Sequence, residues 1–429
     1  MNTQTAIQEL DKRYNRLVGA SATNLCTHCG WCIDACHIYQ ATGDPEMSPV
    51  AKAERVRRVL RRKHDWTSKV VPFWTGAKDL TEEELEDWVE LAFRNCTLCE
   101  RCVVNCPMCV ETPQIIGAVR GTLTALGKGP EILNELADAA IWREEAVDDF
   151  RGIFLDQIAE LEKQVQERLG DPQARIPIDQ PADKLYVPLS GAHTIVPPAI
   201  LFNAVGESWT MSMFEASNNA LFLGDIPKAK RITQRILKEA ERLNVKEIVV
   251  AECGHAYAVL RWEAPKWFGG PLKFKVRSIL EVLDDYLRDG RLKLDRTRNP
   301  EPVTYHDPCN LGRKGGIFEE PRRLLRAATM DFRDMSPNRW ENYCCGGGGG
   351  LVAIEDWKDF RINAGKVKAN QIRQTGATVA ATSCDNCLIQ ITDLAESYDL
   401  GVRVSSVSQL VTNALVTCRL PPSGATESS

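Results

Sequence analysis

The sequence has little that would let it cross a bilayer. Its one long run without a charged residue, Val187 to Gly206, is broken by three prolines and two glycines, which reads as buried strand and loop rather than a span. Strong charge of one sign is also missing. With 53 basic against 58 acidic residues the net charge is -5, so attraction of the whole molecule to nucleic-acid phosphate is excluded. No G-x-G-x-x-G follows a strand-like segment, so no flavin or nicotinamide is expected on this chain, and electrons must come from a partner. The opening "MNTQTAIQELDKRYNRLVGAS" has no apolar core or small-residue cleavage site. A cytoplasmic location is therefore expected, with any membrane contact made through a partner.

What the chain does have is cysteine, sixteen in 429 residues. In such a setting they point to metal or redox chemistry before disulfides. Cys26, Cys29, Cys32 and Cys36 stand in "CTHCGWCIDAC", and Cys96, Cys99, Cys102 and Cys106 in "CTLCERCVVNCP". Both have the C-x2-C-x2-C-x3-C spacing of two-cluster ferredoxins, in which the fourth cysteine serves the other cluster. Two 4Fe–4S cubanes are expected, one on Cys26, Cys29, Cys32 and Cys106, the other on Cys96, Cys99, Cys102 and Cys36. Zinc fits the short triplets poorly. His37 stands where proline usually follows. Between the motifs runs a basic helix, "AKAERVRRVLRRKHDW", read as a solvated face or a docking patch for an acidic partner. Cys109, surplus to eight ligands, is expected to be a buried thiol.

Helical spacing covers 131–170 and ends at a glycine. Beyond residue 184, "KLYVPL", "EIVVAE", "PVTYHD" and "TVAATS" alternate with helical segments, which favours parallel α/β architecture. The pattern is duplicated: "EIVVAECGHAY" parallels "TVAATSCDNCL", each a strand with a cysteine at its carboxyl end, where open α/β sheets build sites. The fold class is α+β overall, a mostly helical ferredoxin-type region followed by a duplicated α/β region. Its expected divisions are 1–125, a connector 126–183, an incomplete first half 184–300, a complete second half 301–418 and a disordered tail 419–429.

A second cysteine pattern lies in that last half: Cys309, the adjacent Cys344 and Cys345, then Cys384 and Cys387, with five glycines after the pair. Neighbouring residues of a strand point to opposite faces, so two adjacent ligands need an irregular loop. Gly346, Gly347 and Gly348 would let backbone approach a cofactor, with N–H groups turned to anionic sulfur.

"HDPCNLGRK", "YCCGGGGG" and "SCDNC" resemble the cysteine-rich CCG domain of heterodisulfide reductases. With its ferredoxin part the whole chain is similar to their fused D-type subunit, and "MFEASNNALFLGDIPKA" and "VVAECGHAY" look closer still to the DsrK and TmcB branch. The resemblance implies a noncubane 4Fe–4S cluster on the five cysteines, where thiol, disulfide or persulfide sulfur meets iron. It also implies partner subunits, an HdrA-like flavoprotein or a membrane cytochrome subunit, and a thiol or small sulfur-carrier protein as substrate. The first half keeps only Cys253, so one such cluster is expected, not two. Cys253 is either a remnant or a functional sulfur facing the cluster. His255 and His306 are candidate proton donors to a leaving thiolate, or merely hydrogen-bond a neighbour; Asp307 is the expected partner of His306. Cys418 is read as structural or incidental. The alternative function is electron relay alone, in a flavin-containing complex of the aromatic acyl-CoA reductase or sulfur-oxidising Hdr-like type.

Overall fold

The computed structural model describes residues 3–14 and 25–416, apart from the side chains of 143 and 144. Cys418 and the expected disordered tail lie outside the described residues. The N-terminal region is helical. Thr3–Arg13, Pro49–His64, Glu82–Val89 and Thr112–Ala125 pack around Leu10, Val56, Leu60, Trp88, Phe93, Ile116 and Leu123. Pro49–His64 starts where sequence rules place it, with the Ser48 hydroxyl accepting from the Ala51 N–H and proline at the first position.

Two connector helices follow, Glu131–Glu145 and Val147–Leu169. The second ends at Gly170, whose φ of +65° closes the last turn. The remainder is two parallel four-stranded sheets. β1 (Lys184–Val187), β2 (Trp209–Met211), β3 (Glu247–Val250) and β4 (Lys275–Ser278) are ordered 2-1-3-4. β5 (Pro302–His306), β6 (Asp331–Asp334), β7 (Val379–Thr382) and β8 (Arg403–Ser406) repeat that order as 6-5-7-8. The duplication read from the sequence is thus a duplication of topology.

Each sheet is wound outward from a central pair, β1 with β3 and β5 with β7. Those central strands are buried along nearly all their length, as expected for parallel strands covered on both faces. One apolar core runs through both halves, including Leu185, Val249, Val303, Val379 and Val411. The stretch "DFRINAGKVKANQIRQTG" lies across two helices, Lys358–Ala364 and Lys366–Thr375. Gly365 between them admits a close approach: a Cβ there would lie 2.7 Å from the Cys345 carbonyl oxygen.

Candidate metal centre and its surroundings

The two N-terminal motifs face two adjoining cavities. One is lined by Cys26, Cys29, Cys32, Cys102 and Cys106, the other by Cys36, Cys96, Cys99 and Cys102. The fourth cysteine of each motif therefore sits with the triplet of the other. Burial pushes the Cys32 thiol up to about 11, so ionising such a set together needs a cation among the sulfurs.

The surroundings fit an anionic group. Arg57 is completely buried on the first cavity. Its Nε lies 3.1 Å from the Glu54 carboxylate, but its terminal nitrogens have no hydrogen-bond acceptor among the described residues. A buried guanidinium left that way is costly, and cluster sulfur would supply what it lacks. Lys52, also buried, reaches to 3.7 Å from Cys36 Sγ. The basic helix is consequently not a wholly solvated face. Val50, Ala53 and Arg57 share one side of it and line the cavity.

The second pattern gathers into a packed cluster of sulfur. Cys309 follows β5, Cys344 and Cys345 occupy the loop after β6, and Cys384 and Cys387 open the helix Asp385–Ser397 after β7. The first and last groups flank the switch point between β5 and β7, where open α/β sheets place ligands. Cys345 Sγ lies 3.4 Å from Cys387 Sγ. With His306 they form a buried trio whose ligand atoms are all within 4.8 Å of one another. Neither ring nitrogen of His306 makes a hydrogen bond among the described residues, so this imidazole too is left facing the sulfurs.

The glycine run shapes this loop. Gly346 has φ +105°, a value that favours glycine, and its N–H points to Cys344 Sγ at 3.4 Å. A Cβ on Gly348 would lie 3.0 Å from the Thr97 carbonyl oxygen. The bare backbone therefore brings the Cys344–Cys345 loop against the N-terminal cysteine loop as well as against its own sulfurs.

That approach creates a junction. Cys99, like Cys309 and Cys384, packs against the buried cluster that holds Cys344, Cys345 and Cys387, and hydrogen bonding from Cys309 and then Cys344 holds its thiol well below the usual range. Arg313 bridges the two sides. Its Nε donates to the Cys99 carbonyl at 2.9 Å, its Nη1 to the Asn342 carbonyl at 2.6 Å, and its Nη2 points to Cys309 Sγ at 3.2 Å. Arg120 ties the same loops from behind, donating to the carbonyls of Cys96 and Gly349. His37, the residue in place of proline, spans them as well, 2.9 Å from the Ala364 carbonyl and 3.0 Å from Thr97 Oγ1.

Cys253 is buried at the end of β3, the position in the first repeat that matches Cys384. A Cβ on Gly254 would meet the Leu311 nitrogen at 2.3 Å, so this turn abuts the Cys309 loop. Cys253 Sγ is 3.1 Å from His255 Nδ1, while His255 Nε2 accepts from the Asn218 N–H at 3.5 Å. Burial pulls His255 down to about 4 and pushes the Cys253 thiol up. At neutral pH the pair is a neutral thiol beside a neutral imidazole.

Two expectations are corrected. Asp307 does not orient His306: both its oxygens accept from Arg322, at 2.7 and 2.8 Å, and one also accepts from the Arg339 N–H. Cys109 is exposed rather than buried, because the tight turn after Cys106 leaves it in a left-handed conformation at the surface. Sequence reasoning also missed Arg57, Arg120 and Arg313, whose roles depend on which helix face or loop turns inward.

Residues 22–110 match the family model for a 4Fe-4S dicluster domain and residues 303–392 that for a cysteine-rich domain. The chain is 28% identical to the Hdr-like menaquinol oxidoreductase iron-sulfur subunit 2 of Archaeoglobus fulgidus, over 92% of this chain and 80% of that one. It is 24% identical to the D-type subunit of the dihydromethanophenazine:CoB–CoM heterodisulfide reductase of Methanosarcina mazei, over 91% and 93%. A shorter match, 28% identical over 46% of this chain and 28% of the relative, is to EtfAB:quinone oxidoreductase of Syntrophomonas wolfei.

Proposed function

We propose that this homologue of Hdr-like iron–sulfur oxidoreductase subunits carries electrons between a partner subunit and thiol/disulfide sulfur at the cysteine-rich site. The two N-terminal sets of four cysteines would hold 4Fe–4S cubanes, and Cys309, Cys344, Cys345, Cys384 and Cys387 a noncubane 4Fe–4S cluster. When bound, these groups supply storage for single electrons. The observation that carries the reading is the junction at Cys99, which packs against the sulfur cluster of the second half and hydrogen-bonds with Cys309 and Cys344.

The chain's own residues set the conditions for that traffic. Lys52, Arg57 and Arg313 place positive charge against the sulfurs, which offsets the charge gained on reduction. Cleaving a disulfide consumes two electrons and two protons and releases two thiols. Cys253 and His255 keep a proton on sulfur and one on Nδ1 near Cys384, and His306 stands beside Cys345 with its ring nitrogens uncommitted. In this proposal Gly346 holds the loop by its N–H. Its relatives are subunits of complexes, so partner subunits follow. We assign the electron exchange to a flavoprotein or a membrane cytochrome subunit, with the chain itself on the cytoplasmic side.

Relay without a substrate is the second reading. It is favoured by the burial of Cys344, Cys345 and Cys387 and by the missing cysteines of the first repeat. An anaerobic assay of the complex, with a reduced dye and a panel of disulfides, separates the two. Disulfide-dependent dye oxidation that Cys253→Ala slows supports the first reading. Full iron content with no turnover of any disulfide supports relay.

A further inference from the structure

The segment after the basic helix presents an apolar surface that no part of the described chain covers. Trp66, Val70, Phe73 and Trp74 are 71–77% exposed within nine residues. Monomeric proteins rarely leave so many large side chains together in water without a use for them. Their exposure is also held in place. Arg61 donates to the Thr75 carbonyl at 3.0 Å, Arg62 to the Ser68 carbonyl at 3.1 Å, and the buried Ser68 hydroxyl donates to Thr75 Oγ1 at 2.9 Å. Phe73 and Trp74 meet edge to face, with ring centres 5.9 Å apart. The loop therefore spends its polar groups on a fixed backbone and turns its rings outward.

The chemistry around the rings is one-sided. Between residues 49 and 78 there are nine basic and two acidic residues, in a chain whose net charge is -5. Beside the rings lies a cleft of about 650 Å³, lined by Ile7, Val59 and Leu80, with Arg62, Lys63, Lys69 and Lys78 and one acidic residue, Asp79, among its polar lining. Arg62 and Lys63 pair with Asp79 and Asp11, and Lys78 with Glu84; no ion pair involves Lys69 among the described residues. Indole and phenyl rings beside excess lysine and arginine match the headgroup zone of a membrane, where rings enter the acyl boundary and cations meet lipid phosphate.

We propose that this surface docks the protein on an anionic phospholipid bilayer, with Trp66, Val70, Phe73 and Trp74 immersed and the basic rim against lipid phosphate. The same helix lines the first cysteine cavity through Ala53. Eleven residues of helical rise, about 16 Å, separate Ala53 from the helix end at His64, where the ring-bearing segment begins. The contact would therefore orient the cysteine-rich face relative to the bilayer without joining the path of electrons.

The test is co-sedimentation of the anaerobically purified holoprotein with vesicles of pure phosphatidylcholine or of phosphatidylcholine with phosphatidylglycerol. Binding is expected only to the anionic vesicles, with a blue shift of tryptophan emission and release by salt. Phe73→Ser with Trp74→Ser should lower the bound fraction at least about tenfold, and Lys69→Glu less, both at unchanged iron content. The proposal is overturned if the intact protein binds no vesicle, or if the double variant binds as well as the parent. It is equally overturned if the rings are needed only for retention of an integral membrane protein, which would make the surface a protein interface.

Discussion

Replacing Gly346 with alanine tests whether the glycine run is there for close approach. The residue has φ +105°, and an added Cβ would lie 2.8 Å from the Arg361 carbonyl oxygen and 3.0 Å from the Gly365 nitrogen. The backbone conformation alone costs a non-glycine residue about 1–2 kcal/mol, and forcing apart packed neighbours adds about 1–3 kcal/mol. Lower entropy of the unfolded chain returns about 0.4–1 kcal/mol, leaving a net loss of about 1–5 kcal/mol. Gly401 is the control: φ is +64° and no neighbouring atom lies within 4 Å of its built Cβ, so Gly401→Ala carries the conformational cost alone. Urea unfolding and iron per chain report the difference. Three four-iron clusters give about twelve iron atoms. Gly346→Ala should lose about a third of that iron at urea concentrations where Gly401→Ala keeps all of it. Equal behaviour of the two variants would refute the steric argument.

The other predictions use the same contacts. Arg322→Leu strands the buried Asp307 beside Cys309 and should destabilise the second half by about 3–5 kcal/mol, seen as a lower urea midpoint. Arg57→Met removes the buried charge facing the first cavity, and the midpoint potential of that centre in a redox titration should fall by on the order of 100 mV; an unchanged potential would mean the guanidinium does not face the cluster. His193 Nε2 lies 2.8 Å from Asp385 and its pKa is raised by that hydrogen bond. A raised folded value gives stability fully present below the unfolded value of 6.5, lost as pH rises through the folded value. His193→Gln should therefore lower the urea midpoint below pH 6 and leave it unchanged above pH 8, by under about 1 kcal/mol because the pair is half exposed.

The central strands were legible because burial on both faces makes them continuous apolar runs, as in "EIVVAE" and "TVAATS". The strands that sequence patterning missed, β2, β4, β6 and β8, are the sheet edges. They are three or four residues long, and "KVRS", "DFRD" and "RVSS" carry the charge that edges tolerate. Cysteine spacing placed Cys36 and Cys106 in the opposite cavities, since the loop that wraps one site has to send its last sulfur onward.

Less of what surrounds the sulfurs could be read. The basic helix gives one composition to two faces, and only the register of Val50, Ala53 and Arg57 separates the buried cations from the solvated ones. The junction at Cys99 was invisible for another reason. It joins residues more than two hundred positions apart, through Arg313 and a glycine loop whose partner is the Thr97 backbone. Asp307 was misjudged because adjacency in sequence to His306 does not fix direction: β5 ends at His306, and Asp307 just beyond it turns to Arg322.

Whether electrons reach sulfur chemistry at the five-cysteine site through Cys99 is decided by electron paramagnetic resonance of the oxidised holoprotein, recorded with and without a panel of thiols. A paramagnetic signal that appears only with thiol, and that disappears in Cys345→Ser while the N-terminal centres still reduce, is the expected result. A spectrum indifferent to every thiol, at a full complement of about twelve iron atoms per chain, would contradict it and leave the chain a conductor for chemistry done elsewhere in its complex.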